Sequence, residues 1–328
     1  RPARRTAKTT DMMQAATFYC HIGEFDKARD LVSEVLEREQ QNVAAQTLRG
    51  WVDLLCGREA MLNKSLQYFQ GAEGSADKGA LLSSLLGKAK YWQRKRTRSE
   101  DERESNLKQS LDCLMNAYTQ FQWFLPALIE NTKVLMMMGQ WTEAQDTAQR
   151  VLGTDERNVE ALRFVVFYLL ARESQYAAAQ RKLQELVDLI SRSEPKNAGL
   201  FHAIARLVSR LSGRDPGVMT LCLRMAKYAR ELEQGKSEYA AEVGEQLLMM
   251  DQVGEAGKNF RDATRLDESN MEAHYGIIKC QILEGNLEDA EQQLEFLNEI
   301  SMSVGSNPAL THLSAMIKWS KDGDKRQS

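Results

Sequence analysis

The chain has 328 residues and a formal net charge of −3, with an isoelectric point near 6.0. Hydrophobic residues make up 43% of the sequence and charged residues 27%, which is typical of a folded protein and argues against a disordered one. The small negative charge argues against a general affinity of the whole chain for nucleic acid or for an anionic membrane.

Residue types that carry chemistry are scattered along the chain. The five cysteines form no CxxC pair, which argues against a disulfide framework or a zinc site and is typical of a reducing compartment. The four histidines are widely separated, and the sequence has no GxGxxG, P-loop or GxSxG motif. We therefore predict no enzyme activity, no cofactor and no metal.

The longest apolar run, Phe164–Ala171, is too short to cross a bilayer, so no membrane insertion is expected.

In chain order, residues 1–8 are predicted to be a flexible basic end, and a helical hairpin follows over residues 9–42. The same spacing returns over residues 125–158, 237–270 and 271–304, which makes a unit of 34 residues. Small residues stand at positions 8, 20 or 27 of the unit and glycine before the turn stands at position 15. The residues concerned are Ala16, Gly23, Ala28, Gly139, Ala144, Gly244, Ala256, Ala263, Gly285 and Ala290.

Looser copies of the unit fill the sequence between these four. They contain Gly50, Gly57, Gly87 and Ala179 at the corresponding places. A charged insertion over residues 93–105 interrupts one copy, and its segment "EDERES" is predicted to be a solvated loop. We predict about eight hairpins over residues 9–306. A leftover helix from Pro308 to about Lys321 then has no second helix, so residues 307–328 are expected to start a further, truncated repeat.

The spacing has a physical reason. Two antiparallel helices approach to about 8–10 Å only where small side chains lie at their crossing, and large apolar residues fill the remaining space. Glycine at position 15 permits the left-handed residue that ends the first helix. Because one hairpin cannot bury its own apolar faces, identical neighbours stack. The sequence therefore predicts an all-α protein.

The pattern resembles the tetratricopeptide repeat (TPR), and the resemblance implies a right-handed α-solenoid. Some features of that repeat are missing. Gln40, Glu156 and Glu268 stand where a proline is usual, Asp251 replaces the turn glycine of its unit, and position 4 has no tryptophan. We therefore expect divergent repeats.

Several stretches resemble one family more closely, in the same order along the chain. They are "LRGWVDL", "KSLQYF", "FLPALIE", "NVEALR", "EPKNAGLF", "ATRLDESN" and "DAEQQLEFLNEI". On these the chain is similar to the tetratricopeptide repeat domain protein 21 family, the all-TPR subunit of intraflagellar transport complex A. The insertion over residues 93–105 is longer than that family's usual turn.

The resemblance implies a non-enzymatic scaffold at the cilium or flagellum and the basal body, on the cytoplasmic side. Its partners would be the other complex A subunits, of the WD40/TPR type and of a small disordered type. The complex serves retrograde transport and the ciliary entry of membrane proteins. The chain would be an internal segment of a longer solenoid.

First helices line the concave wall of a TPR solenoid, so its partner-binding residues are expected at positions 2, 5, 9 and 12 of the unit. The candidates are Ile129, Lys133, Arg163, Phe167, Tyr275 and Lys279. Packing against the next turn of the superhelix is the alternative role for some of them.

Three other functions stay open from the residues alone. A TPR adaptor outside cilia would use the same groove. An adaptor with a carboxylate clamp needs clamp residues at the inner positions of a unit. The inner positions of residues 9–42 are Thr10, Met13, Thr17 and Cys20, and none of them is a clamp residue. A helical-repeat RNA reader needs a basic inner wall, and the isoelectric point near 6.0 argues against it, so no nucleic-acid partner is expected.

Overall fold

A computed structural model describes residues 8–72, 74–301 and 308–327. These residues form α-helices and connecting turns, with no strand among them. The chain divides into two compact units, the first ending at Glu156 and the second beginning at Arg157. Residues 1–7 of the predicted basic end lie outside the described residues.

The first unit contains four hairpins, each made of an odd-numbered first helix and an even-numbered second helix. Their bounds are α1 Thr9–His21, α2 Phe25–Arg38, α3 Val43–Leu55, α4 Glu59–Gly71, α5 Lys78–Arg94, α6 Glu100–Gln120, α7 Leu125–Met137 and α8 Trp141–Thr154.

The second unit contains four more hairpins and one further helix. Their bounds are α9 Val159–Ala171, α10 Tyr176–Ser193, α11 Ala198–Leu211, α12 Pro216–Leu232, α13 Ser237–Met249, α14 Val253–Leu266, α15 Met271–Leu283, α16 Leu287–Ser301 and α17 Pro308–Gln327. The predicted all-α fold with eight hairpins and an additional helix is confirmed, and each unit is an α-solenoid of stacked hairpins.

Asparagine begins several of the first helices. Asn42, Asn158, Asn197 and Asn270 each accept a hydrogen bond from the backbone N–H three residues on, at 3.0–3.1 Å. Such an N-cap satisfies a helix donor that would otherwise lack a partner. Three of these asparagines stand at position 34 of the 34-residue unit, so a cap fixes the start of the next helix where the usual proline is missing.

A left-handed residue ends the first helix in most hairpins. Gly23, Gly57, Gly139 and Gly285 have φ between 71° and 82°, the region that glycine adopts without steric cost. Asp251 takes the same conformation, with φ of 59°. The turn therefore keeps its geometry where its residue departs from glycine.

The predicted alanines lie in the helix contacts of the core. All seven of them have no solvent-exposed surface: Ala16, Ala28, Ala144, Ala179, Ala256, Ala263 and Ala290.

The glycines inside the helices make room for an aromatic side chain, because a phenylalanine ring lies against them. Phe69 of α4 lies between Gly50 and Gly87, and a Cβ atom added at Gly87 would stand 2.4 Å from its ring.

The charged insertion is not one loop, which corrects the prediction for its acidic segment. Only residues 95–99 connect α5 to α6, and Glu100–Ser105 forms the first turns of α6. Ser99 caps this helix by accepting from the backbone N–H of Glu102, whose carboxylate accepts from the N–H of Arg98 at 2.9 Å. These two bonds satisfy backbone donors at the helix start, and acidic residues in a first turn favour it.

The leftover helix α17 packs against the last hairpin. Leu310, Leu313 and Ile317 lie in one apolar cluster with Ile278 of α15 and Leu294 of α16. Its apolar face is thus covered, although no second helix follows it in the described part of the chain. None of the described helices combines the length and the apolar character that a bilayer crossing requires.

Candidate partner-binding groove

The first helices of the second unit contact each other in succession from α9 to α15, and a groove lies among the last three of them. A cavity of about 270 Å³ opens between α11, α13 and α15. It is lined by Arg206, Arg210, Ala241, Glu242, Glu245, Phe260, Glu272, Tyr275 and Lys279. The wall therefore combines charged groups with aromatic and small side chains.

Arg210 of α11 and Glu242 of α13 form the innermost ion pair of the groove. The guanidinium donates two parallel hydrogen bonds to the carboxylate, both of 2.9 Å. Gln246, one turn further along α13, donates a third bond to Glu242 at 2.8 Å. A fork-shaped pair of this kind is strong and directional, and the buried carboxylate depends on it. This pair fixes α11 against α13.

Two more ion pairs lie nearer the surface. Lys279 of α15 donates to Glu245 of α13 at 3.2 Å. Arg206 of α11 donates to Glu272 of α15 at 2.7 Å, which joins residues 66 positions apart in the sequence. The hydrogen bond to Glu272 raises the pKa of the Arg206 guanidinium. The three pairs together connect α11, α13 and α15 in a closed ring.

His202 lies one turn before Arg206 on α11 and packs against Tyr239 of α13, with 4.6 Å between ring centroids. Burial lowers the pKa of this histidine, and the nearby Arg206 lowers it further, against the opposing effect of Glu242. The ring is therefore neutral at physiological pH. It adds an aromatic contact and no charge to this side of the unit.

Two of the six predicted partner-binding residues, Tyr275 and Lys279, line this groove. Arg163 and Phe167 lie on α9 of the same unit, outside the cavity lining, and Arg163 donates to Glu160 at 2.6 Å. Both side chains are partly buried.

Ile129 and Lys133 lie on α7 of the first unit and are also partly buried. Lys133 donates to Glu130 at 3.0 Å, and Lys90 of α5 contacts the same carboxylate. Burial raises the pKa of Glu130, but the two lysines lower it more, so its pKa lies below the ordinary value. The first unit thus also joins successive first helices by charge.

The residues that the sequence analysis missed are Arg206, Arg210, Glu242, Glu245 and Glu272. A signal for three of them was present. Arg206 and Glu245, like Lys279, are each the ninth residue of their helix, and Glu272 is the second residue of α15. Applying the inner positions to α11 and α13 as well as to α15 would have found them.

The described residues contain no cluster of side chains able to hold a metal ion. The five cysteines are free, and burial raises the pKa of Cys222 to about 12 and that of Cys280 to about 11. These two thiols are protonated at physiological pH and unreactive.

Comparison with known proteins identifies the family. Residues 1–145 match the family model described as "Tetratricopeptide repeat protein 21 N-terminal ARM repeat", and residues 181–328 match the "second ARM domain" of the same protein. The chain belongs to the tetratricopeptide repeat protein 21 family. The resemblance found in the sequence is thereby confirmed.

Relatives within the family cover nearly all of this chain. Human tetratricopeptide repeat protein 21B is 35% identical over 99% of the chain, and the mouse protein 21B is 34% identical over 97%. Mouse protein 21A is 30% identical over 97%. The chain spans only about a quarter of the length of these relatives, 23–24%.

Solved structures support the fold alone, because their sequences are distant. A chain of the APC/C hetero-tetramer Cut9–Hcn1 superposes with a TM-score of 0.57 at 12% identity, covering 83% of this chain and 51% of that one. A TPR protein from Parabacteroides merdae gives 0.50 at 13% identity, covering 83% and 98%. The helical hairpins are thus of the TPR type.

Proposed function

We propose that this chain is a segment of a non-enzymatic scaffold subunit of intraflagellar transport complex A. It would bind other subunits of that complex, of the WD40/TPR and small disordered types, in cilia or flagella and at the basal body. There it would serve retrograde transport and the ciliary entry of membrane proteins. Membership of the tetratricopeptide repeat protein 21 family carries this proposal, and the charged groove of the second unit supports it.

The groove suits the binding of an extended or helical segment of a partner. Tyr275 and Lys279 supply an aromatic surface and a cation within one turn of α15, and Phe260 lies in the same lining. In such interfaces a few anchors provide most of the binding energy and the surrounding surface contributes little. Charged groups at the rim mainly govern the rate and specificity of association.

The test is a charge reversal in the full-length protein, with Lys133→Glu, Arg163→Glu and Lys279→Glu combined. We expect the variant to lose complex A subunits in co-purification from ciliated cells, because each substitution places a carboxylate where a partner would meet a cation. Mass spectrometry of the purified material measures the loss, and fluorescence microscopy shows whether the protein still reaches the cilium.

A matched control reverses three exposed lysines on second helices, Lys27, Lys182 and Lys258, each of which also pairs with a nearby glutamate. The control changes the net charge equally and should keep every subunit. Unchanged assembly of the test variant would contradict these first-helix residues as part of the binding surface. Loss of partners that are unrelated to complex A would favour an adaptor outside cilia.

A further inference from the structure

The ion pair between Arg206 and Glu272 is unusual among the contacts of the second unit. It joins α11 to α15, two repeats apart, and passes α13, whose Ala241 lines the same cavity and is almost fully buried. In a stacked array each repeat normally contacts only its neighbours. Both members of this pair line the same cavity as Ala241.

The exposure of the six charged side chains is uneven. The three cations are all partly open to solvent, with Arg206 43%, Arg210 37% and Lys279 32% exposed. Among the acids, Glu242 is buried, with 2% of its side chain exposed, Glu245 is 28% exposed, much like its partner Lys279, and Glu272 is 62% exposed. Without Glu272, this set of six loses its most exposed acid, and its three cations outnumber the two remaining acids.

Glu272 is also the acid whose release costs least. An exposed ion pair contributes only about 0.2–1 kcal/mol, whereas the buried Glu242 depends on its bidentate arginine. Rotation of the Glu272 side chain into water would leave Arg206 with an open donor set beside Tyr275 and Lys279. The guanidinium fork then fits the oxygens of another carboxylate.

We propose that Glu272 is an internal substitute for a partner's carboxylate, and that the groove between α11, α13 and α15 binds an acidic peptide segment at Arg206. The partner displaces Glu272 from the guanidinium, and Lys279 and Tyr275 contact the flanking residues of the segment. Glu272 occupies the Arg206 guanidinium until an acidic partner competes for it. This inference rests on the proposed scaffold function and specifies the chemistry of one partner.

The competition between Glu272 and the peptide for Arg206 determines how much a substitution changes the affinity for the peptide. A site that is blocked for part of the time binds with an affinity reduced by the blocked fraction. Removing the Glu272 charge should therefore raise the affinity for an acidic peptide by about two- to fivefold, the range that corresponds to an exposed ion pair. Removing the Arg206 charge should lower the affinity for the acidic peptide by at least the same factor.

The experiment measures fluorescence anisotropy of a labelled peptide that alternates glutamate with alanine, added to the full-length protein and its variants. We expect Glu272→Gln to bind this peptide more tightly than the wild type and Arg206→Gln to bind it more weakly. Peptides with glutamine or lysine in place of glutamate should not bind. Thermal unfolding of each variant checks that the fold is retained.

The control is Glu185→Gln on α10, which removes one negative charge from an exposed pair with Lys182 outside the groove lining. It should bind as the wild type does, since a general charge effect would strengthen both glutamine variants equally. Equal affinities of Glu272→Gln and Glu185→Gln, no peptide binding by any variant, or preferential binding of single-stranded RNA would each overturn the proposal. If complex A subunits still co-purify in those cases, the scaffold function stands while the acidic-peptide site does not.

Discussion

At the scale of single residues, two phenylalanines hold neighbouring hairpins together. Phe69 lies between two glycines in the first unit, and Phe260 lies between Gly244 of its own hairpin and Gly276 of the next one. Both rings are almost fully buried. Close packing of this kind leaves no room for an additional carbon atom. These glycines are therefore needed because an aromatic ring packs against them, and not because the backbone turns there.

Gly276→Ala should destabilise the second unit. A Cβ atom at this position would stand 2.4 Å from the Phe260 ring, so the helix or the ring must shift, at a cost of about 1–3 kcal/mol in the free energy of unfolding. Chemical denaturation measures the change. In a Phe260→Leu background the same substitution should cost less, because the smaller side chain leaves space for the added carbon.

Gly254→Ala on α14 is the matched control, since no atom lies within 4 Å of the added carbon. It should leave the stability unchanged or raise it slightly, because alanine favours a helix over glycine. Equal destabilisation by the two substitutions would show that the ring contact is not the cause.

At the scale of elements, caps and turns fix the helix bounds more than composition does. Asn270 caps the start of α15, directly after the turn that follows α14. Ser99 caps the start of α6, inside a segment whose charges indicated a loop. Both act through one side-chain oxygen that accepts a backbone N–H. The charged insertion became helical because its serine and following acids satisfy and stabilise a helix start.

The α13–α14 turn offers a test of the left-handed residue. Asp251 has φ of 59°, a conformation that costs an L-residue about 1–2 kcal/mol. Asp251→Gly should raise the free energy of unfolding by about 0.5–1 kcal/mol, after the greater freedom of glycine in the unfolded chain is subtracted. Thermal or chemical denaturation measures this gain.

The reverse substitution at an equivalent turn provides the comparison. Gly285 has φ of 82°, so Gly285→Ala should lower the free energy of unfolding by about 1 kcal/mol. Destabilisation by Asp251→Gly would mean that its weak ion pair with Arg214, at 3.9 Å, outweighs the backbone strain.

At the scale of the whole molecule, charge separates the proposed scaffold from an RNA reader. The net charge is −3 over 328 residues, and the cations of the groove between α11, α13 and α15 are paired with glutamates. Nucleic-acid affinity depends on the release of counterions by unpaired lysine and arginine. The distribution of charge therefore favours a protein partner.

We expect no shift of mixed-sequence single-stranded RNA in a gel at about 0.15 M salt, the physiological ionic strength. A helical-repeat RNA-binding protein run beside it provides the positive control. A clear shift that weakens steeply with added salt would contradict this expectation and return the RNA reader to consideration.

Local patterns in the sequence were enough for the fold and the family. The spacing of Gly23 and Ala28, repeated at Gly285 and Ala290, predicted helical hairpins correctly because a crossing of adjacent helices is encoded within one unit of 34 residues. The prediction for residues 93–105 was wrong over Glu100–Ser105, where a single cap decided between loop and helix.

The partner-binding residues stay a prediction, and the structure changed which of them belong together. By itself the sequence determined the repeat and its small residues, since helix periodicity and steric fit act over short distances along the chain. Only the tertiary structure decided that Arg206 meets Glu272, 66 residues away. That contact depends on how three successive hairpins stack, and no periodicity within one of them contains this information.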